Sequence, residues 1–372
     1  MLIGTPREIK PGEFRVALTP EAVSEIVAHG WSFILEAGAG QGAGFADADY
    51  RAAGAIVTTD VRDVYAADLV VKVKEPQPQE LERLRPGQIL FGYLHLAADP
   101  DQAGRLRASG VTAVAFETVT DPQGGLPLLA PMSEIAGRLA VLAAAERLMR
   151  SHGGKGLLFT GAPGVSPARV TVLGAGVVGS NAARLAAAMG AQVTVLERSD
   201  GRLRQIDELY AGRIRTRRST RAALLEEIAT ADVVIGAVLA PGGAAPKLVR
   251  REDLRLMKPG AVLVDVAIDQ GGCFETSRPT TYADPVFQVD GIIHYCVANM
   301  PGAVPLTASE ALSGAILPYV LALAEGGLKA LADNPHLGRG LNVMSGRLTH
   351  PAVAAALGEP LEDPFGLWSG SR

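Results

Sequence analysis

Over the first 125 or so residues, short apolar runs alternate with stretches of helical period. Leu2–Gly4, Phe33–Glu36, Leu69–Val73, Ile89–Tyr93 and Thr112–Phe116 read as strands. They are mostly apolar and do not alternate with polar residues, as expected of strands covered on both faces. The helical stretches lie between them. The clearest start signal is Thr19-Pro20 before EAVSEIVAHG, where Thr can cap and Pro fits the first turn, and Gly30 ends that helix. Such alternation predicts a parallel sheet with helices on both faces.

The second half repeats the theme. Pro131–Arg150 reads as one long helix, with Ile135, Leu139, Leu142 and Leu148 near helical spacing and Ser133 as a candidate cap. A Gly- and Pro-rich loop, His152–Pro167, follows it. Next come a strand (Val170–Leu173), a glycine turn, a helix (Asn181–Met189) closed by Gly190, and a strand (Gln192–Leu196). Later strands are Val233–Ala237, Val262–Val266 and one near His294–Val297. Ala308–Glu325 is helical, strongly apolar, and placed to return the chain to the first half. The expected fold class is α/β. It has two Rossmann-like doubly wound parallel-sheet domains, separated by a cleft and joined by long helices. One domain takes residues 1–130 plus about 305–372, the other 131–304.

The glycine turn carries the first chemistry. Gly174-Ala175-Gly176-Val177-Val178-Gly179 is a G-x-G-x-x-G between strand and helix. Gly174 permits the sharp turn, Gly176 lets a pyrophosphate approach the backbone, and Gly179 lets helix and sheet pack closely. Val177 and Val178 open the helix, whose free N–H groups and positive dipole end suit phosphate. Glu197 ends the second strand, where an acid holds the two ribose hydroxyls and repels a 2′-phosphate. NAD is therefore expected over NADP, although Arg198 and Arg202 nearby act in the other direction.

Composition narrows the class. Across 372 residues, 48% are hydrophobic and 20% charged, which fits a globular enzyme large enough for two cores. A net charge of −4 gives no nucleic-acid footprint. Cys273 and Cys296 are the only cysteines, too few for a disulfide framework or a metal cluster. The first residues lack a signal-peptide core, and no uninterrupted apolar run is long enough to span a bilayer. A cytoplasmic protein with no membrane partner is expected.

Several further segments make the resemblance specific. These are Gly4–Glu8, Glu13–Val16, Val71–Pro76, Tyr93–Leu96, Pro131–Glu134, Asp265–Gly272, Tyr295–Pro301 and Val304-Pro305. On them the chain resembles the bacterial L-alanine dehydrogenase family almost end to end. The resemblance implies reversible, NAD-dependent oxidative deamination of L-alanine to pyruvate and ammonium, commonly by a homohexamer. It implies substrate binding by Arg15 and Lys74 and acid/base work by His95 and Asp269. The residue types suit these roles. Arginine offers a carboxylate a bidentate fork, and lysine places a point charge on an oxygen. Histidine titrates near neutrality, and a carboxylate can accept a proton from attacking water.

The same resemblance assigns cofactor contacts to Ser133, Glu197, Arg202, Ser219, Val238, Leu239, Val266, Ala267, Ile268, Asp269, Arg278, Val297, Ala298, Asn299 and Met300. Lys72 and Lys74 are equally available from spacing alone, and Arg213–Arg221 reads as a solvated arginine face with Ser219 inside it. Two departures stand out. Glu197 replaces the family's usual Asp, and Leu321–Leu328 lacks a histidine that relatives often carry, so a metal role shared with Glu117 is not expected. Three alternatives stay open: an opine-type enzyme joining a keto acid to a larger amine, a transhydrogenase-like NAD-binding subunit, and a non-catalytic NAD sensor.

Overall fold

The computed structural model describes residues 1–238 and 245–368. The chain forms two compact units, Met1–Met132 with Val304–Arg372 (unit 1) and Ser133–Ala303 (unit 2).

Unit 1 begins with β1 (Leu2–Thr5), β2 (Ser32–Glu36), β3 (Ile56–Thr58), β4 (Leu69–Val71), β5 (Ile89–Gly92) and β6 (Thr112–Ala115). Neighbouring strands are parallel, in the spatial order β3-β2-β1-β4-β5-β6. Each of β4, β5 and β6 is buried at every position, which explains their unbroken apolar sequence. The helix Pro20–Ala28 starts as its sequence indicates. Thr19 is extended, its hydroxyl accepts the Ala22 N–H, and Gly30 follows the helix at φ +85°.

Unit 2 contains β7 (Arg169–Leu173), β8 (Gln192–Glu197), β9 (Ile214–Arg218), β10 (Val233–Gly236), β11 (Val262–Asp265), β12 (Val286–Val289) and β13 (Ile292–Tyr295). The order is β12-β13-β11-β10-β7-β8-β9, with only β12 antiparallel. Successive residues feed two cores. Val233 and Ile235 join the helical residues Ala182, Ala183 and Ala186 on one face, while Val234 joins Leu224 and Ile228 on the other. The chain returns to unit 1 at Val304 and adds β14 (Leu341–Met344), antiparallel to β6, and β15 (Arg347–Leu348) to its sheet.

Both sheets are parallel-dominated, as expected, with antiparallel strands at one edge of each. Local expectations are refined. The arginine face at 213–221 contains edge strand β9, where Arg217 pairs with Glu226 and Glu227 and Arg218 with Asp200. The last strand of unit 2 starts two residues earlier than its sequence indicates and ends at Tyr295. Helix Ala130–Arg147 begins before Ser133, so Ser133 lies within its first turn and does not cap it.

Among the described residues one helix, Pro305–Gly326, is long and apolar enough to cross a bilayer by length and composition, although Glu310 interrupts its apolar run. Its packing assigns it to the core of unit 1. Ser309 and Ser313 accept the Val16 and Thr19 N–H groups at 3.0 Å, and Leu312, Ile316, Val320 and Leu323 are fully buried.

The glycine turn shows how closely unit 2 is packed. A Cβ built on Gly179 would lie 1.9 Å from the Gly174 carbonyl oxygen. Gly179→Ala should destabilise unit 2 by about 1–3 kcal/mol or more through overpacking. A lower thermal-unfolding midpoint checks this; an unchanged midpoint would contradict it.

Candidate functional site

Ligands of open α/β sheets bind beyond the carboxyl ends of the strands, beside the point where strand order reverses. In unit 1 that point lies between β1 and β4. Arg15 follows β1, Lys74 follows β4 and His95 follows β5.

Arg15 is only 2% exposed. Its Nε donates to Glu13 Oε1 at 2.6 Å, its Nη2 to Glu13 Oε2 at 2.5 Å, and its Nη1 to Met132 Sδ at 3.1 Å. Burial works against the guanidinium charge, but the bonds to Glu13 outweigh it and raise the pKa. The Nε–Nη2 edge is thus committed to Glu13. A cleft of about 350 Å³ beside it is lined by Arg7, Glu8, Glu13, Arg15, Gly38 and Gly42, among others.

The two lysines separate clearly. Lys72 is fully buried, with Nζ 2.9 Å from Glu8 Oε2 and 3.3 Å from Glu80 Oε2. Burial opposes its charge, yet Glu8 and Glu80 hold it protonated. Lys74 is half-buried, with Nζ 6.0 Å from the Tyr93 ring centroid. Glu8 Oε1 accepts the N–H groups of Val73 at 2.6 Å and Lys74 at 3.4 Å. The same carboxylate therefore occupies Lys72 and anchors the backbone that presents Lys74.

His95 is half-exposed and adopts a left-handed φ of +52°, a strained conformation for a residue with a Cβ. Glu117 compensates. Its Oε1 accepts the His95 N–H at 2.6 Å, both its oxygens lie within reach of the Leu94 N–H, and His95 Nδ1 lies 3.8 Å from Oε1. Tyr93 is the residue that links the set. Its ring lies parallel to that of His95 at 6.0 Å and edge-on to Phe116, and its hydroxyl donates to Leu128 O at 2.6 Å. Burial raises the phenol pKa, so the group stays neutral. Neither Tyr93 nor a supporting role for Glu117 was legible beforehand, because both act through contacts distant in sequence.

In unit 2 the order reverses between β7 and β10. Gly174 turns at φ +97°, and the helix Val177–Ala188 starts behind Gly176 with no side-chain cap. An added Cβ at Gly176 would meet nothing within 4 Å, so the backbone there is open to a close ligand. Val178 packs under Gly137, whose added Cβ would come 2.3 Å from the Val178 carbonyl oxygen; Val177 is exposed.

Glu197 accepts N–H groups from Ala175 at 2.7 Å, Arg198 at 2.6 Å and Ser199 at 2.9 Å. Partial burial pushes its pKa up, but these bonds prevail and hold it below the ordinary value. A charged acid thus stands beside the glycine turn. The Ser219 N–H donates to the Glu197 carbonyl at 2.8 Å, and Arg202, third residue of the helix Asp200–Tyr210, donates its N–H to the capping Ser199 hydroxyl.

The other candidates also lie on this edge. Val238 follows β10 and reaches the Gly174 turn; Leu239 lies outside the described residues. Val266, Ala267, Ile268 and Asp269 form the turn after β11, with Asp269 exposed. Arg278 lies over the Phe287 ring at 4.2 Å. Val297–Met300 follow β13, held by Ala298 N–H to Thr280 O and Tyr282 O–H to Met300 O. Ser133, half-buried, begins unit 2.

A larger groove of about 620 Å³ runs past Arg250, Arg251, Arg255, Glu252, Glu275 and Asp290. Its charges pair with one another, Arg251 with Asp290 and Arg250 with Glu252, and it contains none of the candidates. Among the described residues, no group of three or more His, Cys, Asp or Glu is arranged to hold a metal ion.

An open glycine turn, an uncapped helix start and a charged strand-end acid fit a dinucleotide, and they define a two-unit, doubly wound nucleotide-binding protein. The chain belongs to the alanine dehydrogenase/PNT family, matching its N-terminal domain over residues 4–136 and its C-terminal domain over 140–351. It is 58% identical over 360 residues to an alanine dehydrogenase of Halomonas elongata, covering 96% of this chain and 97% of that one. A solved L-alanine dehydrogenase superposes with a TM-score of 0.93 at 48% identity, covering 96% of this chain and 99% of the other. A transhydrogenase from Sinorhizobium meliloti superposes with a TM-score of 0.81 at 28% identity, covering 95% and 100%.

The two lysines give a test of the site. Lys74→Met should lower pyruvate reduction at least about a hundredfold, with an unchanged unfolding midpoint. Lys72→Met leaves two carboxylates buried without their cation and should cost about 3–5 kcal/mol of stability. Thermal unfolding and steady-state rates separate the two; the reverse pattern would exchange their roles.

Proposed function

We propose that the protein catalyses the reversible oxidative deamination of L-alanine with NAD. L-Alanine, NAD⁺ and water give pyruvate, ammonium, NADH and a proton. The observation that carries this reading is in unit 1. An arginine, a lysine and a histidine follow the carboxyl ends of the adjoining strands β1, β4 and β5. That is a half-site for a small carboxylate bearing a reactive carbonyl, which a carrier of cofactor alone does not need. The near-complete match to an alanine dehydrogenase supports the same reaction.

NAD, when bound, supplies the hydride acceptor. It would be held by the 174–179 turn, Glu197, Arg202, Ser219, and the segments 266–269 and 297–300. Arg15 neutralises and orients the alanine carboxylate. Lys74 stabilises negative charge on the substrate oxygen as water adds to the imine carbon. Asp269 takes the proton from that water and returns it to the amine nitrogen, and His95 accepts the proton of the new hydroxyl as ammonia leaves. The carbon–nitrogen bond breaks, the new carbon–oxygen bond becomes the pyruvate carbonyl, and the two electrons leave with the hydride. The working enzyme is a cytoplasmic homohexamer, and a sedimentation mass six times that of the chain is expected.

The decisive assay is NADH oxidation with pyruvate, with and without ammonium, and then with lysine or ornithine in place of ammonium. Oxidation should require ammonium. Activity only with the longer amine would move the protein to the opine class, and NADH binding without turnover would favour a transhydrogenase-like or sensor role. Asp269→Asn should abolish turnover while NADH still binds; retained turnover would remove Asp269 from the mechanism.

A further inference from the structure

Asp269 lies in the short 3-10 helix Val266–Gln270 that opens a longer loop segment, residues 266–277, leaving β11; beyond that helix the segment makes, among the described residues, a single parallel bridge, Phe274 to Val249. Peptide groups in such a loop need other partners. Some pair within the segment, Gly271 N–H with Ile268 O and Gly272 N–H with Ala267 O, and others are held by two opposite charges. The N–H groups of Ala267, Cys273 and Phe274 donate to the Asp265 carboxylate at 3.2, 2.9 and 3.3 Å, and the Ser277 hydroxyl joins them at 2.5 Å. The carbonyls of Gly271, Gly272 and Phe274 accept from Lys247 Nζ, at 2.8 Å for Gly272 and 3.4 Å for Phe274.

Asp265 is wholly buried, whereas Lys247 is exposed. The loop closes directly on the carboxylate. Gly272 turns at φ +78°, and a Cβ there would come 2.6 Å from Asp265 Oδ2. The segment bearing Lys247 is itself joined to the loop by Ala245 N–H to Gln270 O, Leu248 N–H to Cys273 O and Glu275 N–H to Val249 O, at 2.8–2.9 Å. Charge-assisted hydrogen bonds are the stronger kind, so the two ions set the loop's shape more firmly than neutral partners would.

We propose that Lys247 and Asp265 are positioning residues that hold the 266–277 loop between opposite charges and thereby fix Asp269 for proton transfer. This rests on the assignment of Asp269 as an acid/base group. Catalytic geometry is sensitive to small displacements, so loosening the loop should lower kcat more than it weakens cofactor binding.

Lys247→Met is the test, because an exposed side chain can lose its ammonium without loss of the fold. With ammonium and pyruvate, kcat should fall about tenfold, since a small misplacement costs rate directly. The NADH dissociation constant, read by fluorescence, should stay within about twofold, and Lys247→Arg should recover kcat to within about threefold. Asp265→Asn, which keeps one acceptor oxygen, should show the same split.

Wild-type kcat in Lys247→Met would overturn the inference. So would a loss of NADH affinity as large as the loss of kcat, or a failure of arginine to restore the rate. Asp269→Asn is measured alongside. If it retains turnover, the acid/base assignment itself is wrong. If it is inactive while Lys247→Met is normal, only the positioning role falls.

Discussion

Beyond the last ladder bond at the carboxyl edge of a parallel sheet, backbone N–H groups must find another acceptor. In this protein carboxylates supply it repeatedly. Glu8 takes the N–H groups that follow β4, and Glu117 those that follow β5. Glu197 gathers three around the glycine turn and the end of β8, and Asp265 three from the loop after β11. Each anchor adjoins a group with proposed chemistry: Lys74, His95, the dinucleotide turn and Asp269. Precise side-chain placement here depends on satisfying main-chain donors.

This arrangement has an electrostatic consequence. A carboxylate fed by several N–H groups keeps its charge even when partly buried, as the lowered pKa of Glu197 illustrates. At two fully buried sites in unit 1 a second charge enters: Lys72 between Glu8 and Glu80, and Glu13 against Arg15. Removing one partner from such a pair leaves an uncompensated charge in the interior, so these pairs are rigid supports as well as local stabilisers. Arg15 shows both effects: Glu13 secures its charge and commits one edge of its fork.

The likeness to a transhydrogenase at 28% identity shows how little the scaffold alone decides. Both units of this chain use the doubly wound strand order, yet their edges carry different chemistry. Unit 2 offers glycines, an uncapped helix start and an acid. Unit 1 offers two cations and a histidine around a neutral phenol. The reading of the reaction rests on those side chains.

The sequence alone determined the features set by local geometry. The glycine turn, the Thr19 cap, the unbroken apolar strands and the return helix follow from allowed dihedrals, side-chain period and two-faced burial, and each is visible within a few residues. The family segments likewise pointed to Arg15, Lys74, His95 and Asp269. The edge strands were hidden. β3, β9, β12, β14 and β15 are short or polar, and β9 carries Arg215, Arg217 and Arg218, so a neighbouring strand rather than their own pattern makes them strands. Only the tertiary structure gave the physical difference between Lys72 and Lys74, revealed Tyr93 as the link between charges, and brought Lys247 and Asp265 onto one loop. Glu8 and Lys72 are 64 residues apart, and Lys247 lies 25 residues from Gly272. Pairings at such separations have no local signature, because they arise only when folding brings the two groups within reach and leaves each as the other's available partner.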